Sequence, residues 1–403
     1  MKVCLISLEW PPYSGGIATY MFSIAKALCD AGNKVTVVTS TEKAVELEGV
    51  EIHIVPIGES KAVFPKLKKW RMEPFDSWSV KSFDYFTLNF TKDDFDIIET
   101  AEYGAWARKF TNGKVPIVTR CHNTTKIVWS INCQNRKPFL PPLWVMFQDY
   151  KERTQTYNSD GITAPSYSIA NHISLEWNIE RSDIKVIPNP IDTSLFCPLE
   201  KRDISTGREI LYIGRFQYGK GVYDFLNAVI PVLEEHSDVT ARLLGFNMPS
   251  PDDYSEYGST ATDVIMMLTP PYLRNRIFIE SPVEQHKTID FYRASYCVVI
   301  PTRGYESFSY TCLEAMACGC AIIATKSGGP TELLNHGVSG HLVEPGNVNE
   351  ISQSLNLLLA DKKYHDKLGN AARKAAVKNY HISKIAKATT EYYQAVINKY
   401  EVM

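Results

Sequence analysis

The stretch Glu209–His236, EILYIGRFQYGKGVYDFLNAVIPVLEEH, decides the fold. Its first residues form a short apolar run ending in glycine, the pattern of a buried strand. From Gly221 onward the apolar side chains recur at helical spacing. Between the two lies a glycine-bearing turn with two cations, Arg215 and Lys220. A strand that feeds a helix through a tight turn is half of a β–α–β crossover, the unit of a parallel sheet.

Outward from this unit the rhythm repeats. Downstream come the strands VTARLLG, RIFIES, YCVVIPT, CAIIAT and GHLVE, with a helix EQHKTIDFYRAS before YCVVIPT and another beyond it. Polar FNMPSPDDYSEYGSTATD is expected as a long loop, and two amphipathic segments after Glu350 as closing helices. Upstream the pattern has already run once, through KVCLIS, KVTVVTS, VEIHIVPIG, FDIIETA, VPIVTRC and DGITAPS, before IKVIPNPIDTSLFCP leads to a polar segment. Leu199–Arg208 is polar and reads as the linker. The expected organisation is an α/β chain of two doubly wound parallel-sheet domains, 1–198 and 199–381, with a helix 382–403 packing back on the first. Facing domains of this kind hold ligands beyond the carboxyl ends of their strands, in the interdomain cleft.

The bulk properties agree with that size. At 403 residues the chain exceeds one ordinary core, and its 44% hydrophobic and 22% charged residues are those of a soluble globular protein. A net charge of -2 gives no bulk attraction for nucleic acid. The apolar runs are too short to span a bilayer, and the N-terminal run reads as a strand rather than a signal peptide. Nine cysteines lie mostly in apolar segments, which suits reduced residues in a cytoplasmic chain. No Cys/His partner stands at zinc-like spacing from the CGC of Cys318–Cys320, so no metal is expected there.

Four loops fall at strand ends. Gly15–Gly16, in PPYSGG, precede a helix N-terminus, where backbone N–H groups suit an anion; a plain tight turn is the alternative. His122, in TRCHNTT, follows a strand and is either a site residue or a structural hydrogen-bonder. Arg215 and Lys220 together make a clamp for a diphosphate, or else a solvated pair of charges. In RGYESFSYTCLEAMACGC, Glu306 and Glu314 stand with seven residues between them, with a helix expected from Ser307 or Phe308. There Thr311–Glu314 also fits a capping box, which would make Glu314 a cap partner only.

Taken in chain order, PPYSGG, PNPID, GRFQYGKG, ESFSYTCLEAMACG and SGGPTELLNHGVSGHLVEPGN resemble the retaining glycosyltransferases of the GT-B fold, family 4, over nearly the whole chain. The resemblance implies two facing Rossmann-like domains and transfer of a sugar from a nucleoside-diphosphate sugar to a hydroxyl. It implies that Arg215 and Lys220 neutralise the diphosphate and that Glu306 meets the transferred sugar, beside Ser307, Phe308 and Ser309. Glu314 would take the ribose, Pro282 and Val283 would flank the base, and His122 would touch the sugar. Gly15 and Gly16 would lie near the phosphates, and Asn189 at the hinge. No metal or other cofactor is implied. Ser309 and Pro190 depart from the family pattern, where glycine is usual at both.

The acceptor is expected to be a glycan or a lipid-linked saccharide. Phe64–Trp78 mixes Lys66, Lys68, Lys69 and Arg71 with Phe64, Trp70 and Trp78, which suits contact with an anionic inner membrane face; a solvated loop is the alternative. Lys126–Phe147 is a second aromatic segment, expected to wall the acceptor. A sugar-nucleotide epimerase or hydrolase, or a non-catalytic sugar-nucleotide-binding protein, are the rival classes.

Overall fold

The computed structural model describes residues 1–12, 15–57, 73–111, 113–132, 140–199, 208–247 and 260–402. The chain divides into two compact units, one of Met1–Trp129, Phe139–Pro190 and Ile382–Met403, the other of Ser130–Pro138 and Ile191–His381.

The first unit is built on β1 (Lys2–Ser7), β2 (Lys34–Thr39), β3 (Val50–Ile54), β4 (Ile97–Ala101), β5 (Ile117–Arg120), β6 (Gly161–Ala164) and β7 (Ile184–Val186). They form one sheet in the order β3-β2-β1-β4-β5-β6-β7, every pair parallel. The order reverses beside β1, which is where a doubly wound sheet opens its loops. The helices are α1 (Gly16–Asp30), α2 (Glu73–Asn89), α3 (Thr125–Asn132), α4 (Leu143–Tyr157) and α5 (Tyr167–Trp177), joined by the C-terminal helix Ile382–Val402. Tyr20 of α1 and Tyr393 of that last helix both donate to Glu99 of β4, which fastens the returning helix to the sheet.

The second unit holds β8 (Arg208–Ile213), β9 (Val239–Leu244), β10 (Ile277–Glu280), β11 (Cys297–Ile300), β12 (Ala321–Thr325) and β13 (His341–Val343). Their order is β10-β9-β8-β11-β12-β13, again all parallel. Both faces are covered, as the unbroken apolar strands require. Ile210 and Tyr212 join α6 (Val222–Glu235) in one core cluster, while Leu211 between them joins the helix Tyr310–Ala317 in another.

Four boundaries differ from expectation. The units part at Pro190–Ile191, because Ile191 N–H donates to Tyr380 O and Arg373 holds the carbonyls of Thr193 and Phe196 within the second unit. Arg208 opens β8 and grips Asp238, so it is no linker residue; 200–207 lie outside the described residues. Ala261–Leu268 is a helix started by a capping box of Thr260 and Asp263, which shortens the expected loop; 248–259 lie outside the described residues. The first closing segment breaks in two where Asp361 accepts from Tyr364 N–H and starts the helix Lys362–Tyr380.

Candidate active site

In the second unit the glycine turn after β8 lies directly on the segment after β11. Gly221 has φ 72, and a Cβ there would stand 1.8 Å from Pro301 O. Gly219 O accepts the N–H groups of Arg303 and Gly304 at 3.0 and 3.1 Å. Two loops more than eighty residues apart in sequence are thus joined backbone to backbone. Lys220 Nζ then reaches Glu306 Oε2 at 2.5 Å, with side chains 25% and 16% exposed. Each neutralises the other in a half-buried place, a charge-assisted hydrogen bond of the stronger kind. Arg215 is half-buried in the same turn, and its carbonyl accepts from Tyr212 OH at 2.7 Å.

Glu306 is also fixed through its backbone, its N–H to Ser327 O and its carbonyl from Gly329 N–H. Ser307, Phe308 and Ser309 are buried beyond it. The helix starts at Tyr310, later than expected, because Ser309 has φ 81 and serves as the cap, accepting from Cys312 N–H at 3.3 Å. That left-handed backbone explains why glycine suits this position in the resembled family. A serine there carries strain on the order of 1–3 kcal/mol.

The capping-box reading of Glu314 is overturned. Its Oε1 accepts from Gln285 Nε2 and its Oε2 from Tyr292 OH, both at 2.8 Å. Burial lifts the carboxyl to about 7, and these neutral donors only partly offset it. Gln285 begins the helix Gln285–Ala294, two residues past Val283, so Pro282 (exposed) and Val283 (half-buried) lead into the group that holds Glu314.

In the first unit, Gly15 caps α1 and Gly16 begins it. A Cβ on Gly15 would come within 3.1 Å of Glu9 Oε2, whereas one on Gly16 would meet nothing within 4 Å among the described residues. His122 is buried after β5, its N–H donating to Glu102 Oε1 at 2.7 Å and its ring edge-on to Tyr20. Burial, then Arg120, hold its imidazole well below the usual pKa, so it is neutral; Nε2 has no hydrogen-bond partner among the described residues. Asn189 is buried, and its Oδ1 accepts from Arg120 Nη2 at 2.8 Å. The same nitrogen donates to Ile187 O, and the guanidinium lies 4.1 Å from the centre of the Tyr20 ring.

Sequence reasoning missed the buried acids of this unit. Burial raises Glu102 to about 7 and Glu152 to about 8. Glu152, from α4, accepts from Thr125 N–H and Oγ1 and from Gly104 N–H, binding α4 to the loops after β4 and β5. The signal for Glu99 and Glu102 lay in the run IIETAEYG, where acids interrupt an apolar strand end. Of the expected acceptor segments, Trp78 is core, fully buried and donating to Val55 O, so it is not a surface anchor. Residues 64–72, the side chains of 73–77, and 133–139 lie outside the described residues. The described cysteines are all free, most of them buried.

Two family models match in tandem: Glycosyltransferase Family 4 over residues 14–195 and Glycosyl transferases group 1 over residues 200–375. With its two Rossmann-like parallel-sheet domains, the chain belongs to the GT-B glycosyltransferases of the family 4 type. It is 25% identical over 417 residues to an uncharacterised glycosyltransferase of Methanocaldococcus jannaschii, covering 98% of each chain. It is 24% identical over 404 residues to a D-inositol 3-phosphate glycosyltransferase of Nocardiopsis dassonvillei, covering 92% of this chain and 89% of that one. Its fold matches HepE of Anabaena, solved in complex with UDP-glucose, with a TM-score of 0.73 and 17% identity over 98% of this chain and 100% of that one. Among the described residues no helix is long and apolar enough to cross a membrane.

Proposed function

We propose that this glycosyltransferase moves a sugar from a UDP- or GDP-linked donor to a hydroxyl of a glycan or lipid-linked saccharide, with retention of anomeric configuration, in building a cell-surface polysaccharide or glycoconjugate. The observation that carries the reading is the Lys220–Glu306 contact on two fastened loops, with buried Glu314 on the helix just beyond. As the bond to the diphosphate breaks, negative charge gathers on the leaving phosphate. Arg215 and Lys220 take it up, and fixed cations at that place lower the barrier. Glu306 receives sugar hydroxyls, with the Ser307–Ser309 backbone beside it, and Glu314 receives the ribose hydroxyls. Pro282 and Val283 flank the base. Within the first unit, the Gly15–Gly16 backbone suits phosphate oxygens, the neutral His122 imidazole suits a sugar hydroxyl, and Asn189 is a further candidate binding residue.

In this scheme the acceptor oxygen bonds to the anomeric carbon on the face the phosphate leaves. The departing phosphate takes the acceptor proton, and no metal is called for. The likeness to a protein solved with UDP-glucose supports a nucleotide-sugar donor. The likeness to a D-inositol 3-phosphate glycosyltransferase favours, as a second reading, a small phosphorylated polyol as acceptor.

Labelled UDP- and GDP-sugars offered with candidate acceptors test the proposal. Acceptor-dependent transfer, unchanged by a chelator and giving the retained anomer by proton NMR, is the expected result. Acceptor-independent breakdown of donor would instead identify an epimerase or hydrolase, and binding without turnover a non-catalytic module.

A cytoplasmic location with peripheral membrane contact belongs to the same proposal, and α4 supports it. Besides Val145 this helix buries the polar Gln148, Lys151, Glu152, Gln155 and Thr156, while Leu143, Met146, Phe147, Tyr150 and Tyr157 are exposed. An apolar stripe at helical spacing is what an interfacial helix presents to a bilayer. Flotation with anionic phospholipid vesicles, lost in Leu143→Asp/Phe147→Asp, is expected; wild-type protein that stays unbound removes this part.

A further inference from the structure

We propose that Arg303 is a positioning residue of the transfer reaction, holding Lys220 and Glu306 in register; the inference rests on the site reading given under Proposed function. Lys220 sits on a turn of only three residues, Tyr218–Lys220, and carries a long flexible side chain. Something must fix that turn if the ammonium is to meet one phosphate oxygen. The Arg303 fork does so from the strand of chain that bears Glu306, three residues before it.

The geometry is a double tie. Arg303 Nε and Nη2 donate to both carboxylate oxygens of Asp224, at 2.6 and 2.5 Å, and Nη1 donates to Tyr218 OH at 2.6 Å. The guanidinium also lies 4.5 Å from the centre of the Tyr218 ring. Tyr218 precedes Lys220 by two residues and Asp224 follows it by four, so the tie brackets the lysine on both sides. Asp224 is 2% exposed and Arg303 28%, so the pair is held in a place where its directionality persists. Gly346, with φ 79, stands beside the guanidinium; a Cβ there would come within 3.4 Å of Arg303 Cζ. The backbone bonds of Arg303 and Gly304 to Gly219 O set the distance between the two loops, and the side-chain fork sets their rotation.

A bond that served folding alone would be indifferent to the phosphate chain of a bound nucleotide. One that aims Lys220 would be read out by it. Arg303→Lys keeps the charge and loses the fork, because an ammonium cannot donate in two parallel directions. The double variant Arg303→Gln/Asp224→Asn removes both charges together and leaves no buried carboxylate unpaired. Calorimetry with UDP against UMP, and GDP against GMP, is compared with turnover of the matching labelled donor.

In both variants the preference for diphosphate over monophosphate is expected to fall about tenfold, the size of one lost charged hydrogen bond. Monophosphate affinity stays at the wild-type value. Turnover at saturating donor is expected to fall about 10²-fold, as for a reacting group displaced by roughly 1 Å. Adding Lys220→Ala to either variant then lowers the diphosphate preference no further. Variants that lose thermal stability yet keep both the preference and the turnover overturn the inference and leave the site reading standing. Wild-type protein with no diphosphate preference overturns the site reading, and this inference with it.

Discussion

Each unit places a glycine loop after a central strand and before a helix, and the two loops owe their glycines to different causes. After β8, Gly221 is demanded by the protein itself, for its positive φ and the Pro301 carbonyl leave no space for a Cβ. After β1, Gly16 has open space around it among the described residues and no positive φ, so nothing in the described fold requires the missing side chain. A glycine that the fold does not need is one that a ligand can approach closely. The charges differ likewise. Lys220 and Glu306 neutralise each other at the second loop, whereas Glu102 and Glu152 of the first unit are buried among neutral donors. The Lys220–Glu306 pair is compensated inside the fold, whereas Glu102 and Glu152, like Glu314 of the second unit, store a cost.

The comparison breaks first if Lys220→Ala, with an unchanged circular dichroism spectrum, keeps near-normal turnover. A loss of 10²-fold or more, roughly what one donor at developing charge contributes, is expected in a steady-state assay. Next come the two glycines. Gly221→Ala should lower unfolding free energy by roughly 3 kcal/mol or more, since backbone must shift. Gly16→Ala should leave stability within about 0.5 kcal/mol while turnover falls about tenfold, as a methyl enters the space of a close ligand. Equal effects in denaturant titrations of the two would erase the distinction.

The stored cost has a pH signature. Glu102 titrates at about 7 in the folded chain against an ordinary 4.5, so between those values the folded chain binds more protons than the unfolded one. Stability therefore falls as pH rises through that window, and Glu152, at about 8, acts in the same direction. Glu102→Gln should flatten part of the slope and recover on the order of 3 kcal/mol at pH 8. Urea titrations at pH 5 and pH 8 on both proteins measure it; identical slopes would mean Glu102 pays no such penalty. The smallest effect concerns Glu314. Tyr292→Phe removes one of its two side-chain donors and should change the preference for UDP over 2′-deoxy-UDP by about fivefold, near 1 kcal/mol, by calorimetry.

Much of the fold could be read from the chain because its signals are local. Every strand quoted from the sequence is a strand of one of the two sheets, since a short apolar or alternating run bounded by glycine or polar residues is what a sheet with at least one covered face requires. Local signals misplaced the helix start at Tyr310, because the φ of Ser309 is imposed by its packing: Gly329 lies so close that its Cβ would touch Phe308 Cα at 2.4 Å. They also offered a capping box for Glu314 that loses to partners 22 and 29 residues away.

The sequence by itself determined two parallel α/β domains and the loops at their strand ends, because side-chain periodicity and glycine turns act within a few residues. Tertiary structure alone decided which of those residues meet: Lys220 with Glu306, Arg303 with Asp224 and Tyr218, Arg120 with Asn189. Those pairings depend on where distant strands lie in the sheet order, and so does the burial that turns Glu102, Glu152 and Glu314 into weak acids.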